Sequence, residues 1–136
     1  MKFEETGCLR FVWALNRAKR QHLLTQHSLA EFNAMRCYLS TTERSGFAVK
    51  SDGELTCLFS TEGEGLAALK CATGTKGARK LDCFDVPLDG KLLTLPEWYK
   101  RHGFRETLRL RFNPKFAPRP WPASEGSPDV VFMVLA

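Results

Sequence analysis

No run of uncharged apolar residues in this chain is long enough to cross a bilayer. The longest, residues 130–136, has seven positions, and a spanning helix needs about 20. The five cysteines (Cys8, Cys37, Cys57, Cys71 and Cys83) are odd in number and include no Cys-x-x-Cys pair. That argues against a disulfide scaffold and for reduced thiols in a cytoplasmic protein. The opening Met1-Lys2-Phe3-Glu4-Glu5 lacks the basic-then-apolar layout of a secretory leader. The three histidines, His22, His27 and His102, lack metal-ligand spacing, so no metal is expected. No repeat, low-complexity tract, P-loop or nucleophile-elbow serine is present.

What remains is a chain of 136 residues, 43% hydrophobic and 26% charged. It is long enough for one domain, residues 1–136, to bury a core without staples. The net charge of +5 is uneven: residues 1–50 and 91–136 each carry +4, and residues 51–90 carry −3. Basic ends leave a nucleic-acid or other acidic partner open, although a solvated surface is the commoner reason for a charge of this size. The only basic cluster near the start is Arg17-Ala-Lys-Arg20, with no interleaved aromatics.

Leu9, Val12, Trp13, Leu15, Ala18 and Leu23 recur at mostly helical spacing and predict a helix over roughly 8–24. Ser28-Leu-Ala-Glu31 is a capping box opening a second helix, with Leu29, Phe32, Met35 and Leu39 on its buried face. Residues 1–40 therefore read as a helical part and residues 45–135 as a sheet with helices. Strands are expected at 46–50 and 55–59 around an Asp52-Gly53 turn, at 80–84, 105–112 and 130–135. Leu66–Lys76 reads as a helix stopped by Gly77, and Thr94-Leu-Pro-Glu97 as a second capping box launching Leu95–Arg101. The order ααββαβαββ is that of one mixed sheet with helices on its faces.

Two motifs carry chemistry. Ser60-Thr-Glu-Gly63-Glu64-Gly65 joins a strand to a helix, where backbone N–H groups and the helix dipole can hold an anion. Trp98-Tyr99-Lys-Arg-His-Gly103-Phe104 puts a tyrosine on a short helix four residues before a Gly-Phe that turns into a strand. Asp82 precedes Cys83 on the expected strand 80–84, and Asp85 stands at that strand's carboxyl end. Each feature also has a plain structural use: a connecting turn, a partly buried aromatic, a solvated strand end, a packed thiol.

Together, and in this order, the two motifs resemble those of the GNAT superfamily of acyl-CoA-dependent N-acetyltransferases. That family shows a strand, a Gln/Arg-x-x-Gly-x-Gly/Ala loop, a helix, a strand, then a helix with Tyr-x-x-x-Gly-Phe. The resemblance covers about residues 45–135. The run from Leu81-Asp-Cys-Phe-Asp85 through Ala117-Pro118 and Trp121 to Pro128–Met133 looks like small GNAT-like proteins of phage origin.

The resemblance implies an α/β fold with a GNAT-like mixed, mostly antiparallel central sheet and helices on both faces. Acetyl-CoA is the implied co-substrate and an amine, protein amines included, the acceptor. Gly63, Glu64, Gly65 and Leu66 would then offer N–H groups to the pyrophosphate, and Leu58, Phe59 and Ser60 would bond the pantetheine arm by backbone. Lys100 and Arg101 would lie near the 3′-phosphate. Tyr99 would protonate the departing thiolate, with Asp85 the candidate base. Ser60 stands where the family has Gln or Arg, and Glu62 and Glu64 put negative charge in the loop. These departures support an alternative, a degenerate GNAT fold that binds a host or viral macromolecule without catalysis. The expected location is the cytoplasm, of the host if the chain is of phage origin, with no membrane partner.

Overall fold

The computed structural model describes residues 2–18, 23–60, 63–88, 92–118 and 120–136. The chain divides into two compact units, Met1–Arg79 and Lys80–Ala136. The first runs β1 (Phe3–Thr6), α1 (Cys8–Leu15), α2 (Leu29–Asn33), β2 (Arg36–Ser40), β3 (Ser45–Val49), β4 (Leu55–Ser60) and α3 (Gly65–Thr75). The second runs β5 (Lys80–Phe84), α4 (Leu95–Arg101), β6 (Phe104–Leu110), a 3-10 turn at Ala123–Glu125 and β7 (Val130–Leu135). The protein is mixed α and β as expected. In place of one mixed sheet, the described strands form two, ordered β1-β2-β3-β4 and β5-β7-β6. Every pairing within them is antiparallel. No helix among the described residues is long and apolar enough to cross a membrane.

The N-terminal part departs most from expectation. Two strands, β1 and β2, stand where residues 1–40 read as helical. The capping box at Ser28 forms, with Ser28 and Glu31 bonding each other's backbone N–H, yet α2 closes after Asn33. Leu39 continues the helical spacing of Phe32 and Met35 but lies in β2, whose residues 37–40 are all buried. Their N–H and C=O groups are satisfied by ladders to β1 on one side and β3 on the other. The expected helix over 8–24 ends at Leu15; its residues 19–22, with His22, Lys19 and Arg20, lie outside the described residues.

The buried face of α1 also differs. Leu9 and Trp13 are 69% and 67% exposed, while Phe11 is fully buried. Phe11 sets its ring against Phe32 at 5.7 Å and Phe59 at 5.8 Å, joining α1 and α2 to β4. Trp13 instead lies beneath the Arg17 guanidinium, 5.3 Å from its ring centre. Cys37, Leu39, Ala48 and Cys57 complete this core, and α3 packs on β3 and β4 with Ala68, Leu69 and Ala72 buried.

Gly46 lets the strands beside it close. It is in register with Leu39 and Phe59, and a Cβ there would sit 2.6 Å from the Tyr38 carbonyl oxygen and 2.9 Å from Phe59 Cε1. Gly46→Ala is therefore expected to cost roughly 1–3 kcal/mol, the usual penalty of overpacking. A urea midpoint equal to that of the unsubstituted protein would show that Phe59 and the β2 backbone can yield.

In the second unit β7 is central, with Val131 and Met133 buried, and α4 packs on β5 and β6. The Thr94 capping box forms as the sequence predicts, with Pro96 in the first turn. Gly103 takes φ +100 and ends the helix, so Phe104 enters β6 at once.

Candidate functional site

In the first unit β4 is the last strand of its sheet, and it is irregular. Its register against β3 shifts between Gly46 and Ala48, and Cys57 has φ +53, a left-handed value that non-glycine residues seldom adopt. Bulges and strained residues of this kind gather at functional sites. Leu58, Phe59 and Ser60 follow the bulge, with Phe59 buried and the other two half-buried.

The glycine loop leads from β4 into α3. Gly63 adopts φ +74, and a Cβ there would meet nothing within 4 Å, so its requirement is the backbone angle and not a close approach. Glu64 precedes the first helical residue. Its N–H donates to Ser60 Oγ at 2.8 Å, and its carboxylate accepts from the fully buried Ser45 hydroxyl at 2.5 Å. The Glu64 amide is thus engaged within the loop, and its charge is turned onto β3. The side chain does not cap α3, and the first turn holds no acidic residue. Gly65 and Leu66 supply first-turn N–H groups that α-helical bonding leaves without an intrahelical partner. Of the four N–H donors expected, that of Glu64 is taken by Ser60, and the two in the first turn of α3, Gly65 and Leu66, fit phosphate oxygens. Glu62 lies outside the described residues.

In the second unit Tyr99 is buried, its ring edge-on to Phe104 at 5.7 Å and Trp98 at 5.0 Å. Burial, with Cys83 and Asp82 nearby, holds its phenol pKa far above the ordinary value, so it stays protonated at neutral pH. Lys100 and Arg101 are exposed in the last turn of α4, where cations oppose the helix dipole; Lys100 also approaches Glu106 at 3.9 Å.

Asp85 is no isolated carboxylate. Arg109 donates to it at 2.6 Å, and the same guanidinium meets Glu106 at 3.0 Å and Asp129 at 3.3 Å. A base held this closely must first leave its partner. Burial pushes the Cys83 thiol up to about 12, leaving almost no thiolate at neutral pH. Among the described residues, no group of three or more His, Cys, Asp or Glu is arranged to hold a metal ion.

His27, to which the sequence assigned no role, lies beside β4. It precedes the Ser28 cap, and its Nε2 lies 3.0 Å from Thr56 Oγ1 on β4. Its spacing to Glu31 was legible, but its partner is 29 residues away.

Comparison of this chain with protein-family models, with curated proteins and with solved structures finds no match in any of the three.

Proposed function

We propose that the protein is an acetyl-CoA-dependent N-acetyltransferase of the GNAT type, moving an acetyl group to an amine. The observation that carries this reading is the order of elements: β4, the glycine loop, α3 and β5, then α4 with Tyr99-x-x-x-Gly103-Phe104 leading into β6. That is the order the resemblance implies. When bound, acetyl-CoA supplies an acyl group activated as a thioester. The N–H groups of Gly65 and Leu66 hold phosphate oxygens at the start of α3, reinforced by the helix dipole. The backbone from Leu58 to Ser60 orients the extended arm by strand-like hydrogen bonds. Tyr99 carries the proton for the sulfur, and its burial keeps that proton in place until negative charge develops.

A second reading is favoured by one observation. Ser60, Glu64 and Ser45 bond one another where the pyrophosphate would lie, which suits a partner-binding protein of the same fold without catalysis. A thermal melt with acetyl-CoA separates the two. Ligand at 100 times its dissociation constant stabilises by about 2.7 kcal/mol, a rise of several degrees in Tm. An unchanged Tm at millimolar acetyl-CoA would overturn the transferase and leave the partner-binding protein.

A further inference from the structure

Three features of the first unit converge on one histidine. His27 keeps only 5% of its side chain exposed and sets its ring edge-on to Phe32 at 5.2 Å. Its Nδ1 faces Glu31 Oε2 at 3.8 Å, and its Nε2 faces Thr56 Oγ1 at 3.0 Å. The β4 bulge turns two successive side chains toward the same short segment: Thr56 meets His27, and Cys57 Sγ meets the Thr25 carbonyl at 3.4 Å. The bulge thus aims a hydroxyl and its imidazole partner from the strand whose next residues, Leu58 to Ser60, are proposed to hold the thioester arm.

We propose that His27 is the proton acceptor for the incoming amine, acting through the Thr56 hydroxyl while Glu31 holds the ring orientation. The assignment rests on the transferase reading above. With Nδ1–H turned to Glu31, Nε2 presents its lone pair to the Thr56 O–H. The acceptor ammonium gives one proton to Thr56 Oγ as Thr56 gives its own to Nε2. The freed amine lone pair forms the C–N bond at the thioester carbonyl, and the C–S bond breaks. Tyr99 gives its proton to the departing sulfur and regains one as the second amine proton is lost, and His27 returns its proton to solvent.

The electrostatics suit a base that is neutral at physiological pH. Burial lowers the His27 pKa and Lys50 lowers it further, while Glu31 and Glu54 oppose them. A buried, satisfied ring with a purely structural role has the same pKa. What separates the two is whether the ring responds to the bound thioester and whether it controls the pH dependence.

The test is an imidazole NMR titration of the full chain with and without saturating acetyl-CoA. It is paired with the pH dependence of thiol release from acetyl-CoA using poly-L-lysine as the probe acceptor. The expected result is a His27 midpoint below 6.5 that moves when acetyl-CoA binds, matching the acid limb of kcat/KM. His27→Gln should lose that limb and roughly 10²–10⁴ in rate with acetyl-CoA affinity unchanged. Thr56→Ser should keep the limb and Thr56→Val should lose it. Acetyl-CoA binding with an unmoved His27 midpoint, or an acid limb retained by His27→Gln, overturns the base and leaves the transferase standing. Absence of acetyl-CoA binding overturns both.

Discussion

On the proposed transferase reading, Tyr99→Phe should lower acetyl transfer by roughly 10²–10⁴, the usual worth of a positioned general acid. The second unit should remain folded. The substitution removes one oxygen and keeps the ring, so the edge-on contacts with Phe104 and Trp98 survive. Because burial holds the phenol pKa high, the proton is present across the working pH range. Ionisation of Tyr99 should therefore contribute no alkaline limb near neutral pH. The same burial makes Tyr99 a weaker acid than an exposed phenol, so transfer to sulfur requires the developing thiolate to be equally desolvated. Steady-state rates with matched acetyl-CoA affinity, measured by calorimetry, decide the matter. An unaltered kcat in Tyr99→Phe would mean that the proton comes from elsewhere and that Tyr99 serves only to pack α4.

Phe11→Ala should destabilise the first unit by about 3–5 kcal/mol. Phe11 is fully buried, and its ring is the common neighbour of Phe32 on α2 and Phe59 on β4. Removing it leaves a space bounded by two other large rings, which cannot collapse without moving a helix or a strand. A loss this size is a large share of a small domain's total stability. The protein should melt well below the unsubstituted chain. Since Phe59 is part of the proposed arm-binding backbone, acetyl-CoA affinity should fall with it. A loss under 1 kcal/mol in urea titration would show that α1 is held by contacts other than this aromatic cluster.

The elements legible in the sequence are those with short-range chemistry. The capping boxes at Ser28 and Thr94, the Asp52-Gly53 turn, and the stops at Gly77 and Gly103 all appear. The strands Lys80–Phe84 and Val130–Leu135 fall within the bounds their composition predicts. Each depends on groups a few residues apart, so its energy is written into the local sequence. The tyrosine helix and the glycine loop of the candidate site are legible for the same reason.

The tertiary structure decided the rest. The spacing of Phe32, Met35 and Leu39 suits a helix, and β2 became a strand because two neighbours supplied ladders for its backbone. Leu9 and Trp13 fit a buried helical stripe as well as Phe11 does; Phe32 and Phe59 made Phe11 the buried one. The Glu64 carboxylate turned to Ser45, 19 residues away, and His27 met Thr56 across 29. The strands among the described residues could have formed one sheet, but they paired as two. Local sequence leaves such alternatives nearly equal in energy, and only contacts between distant segments, made once the chain has closed on itself, separate them.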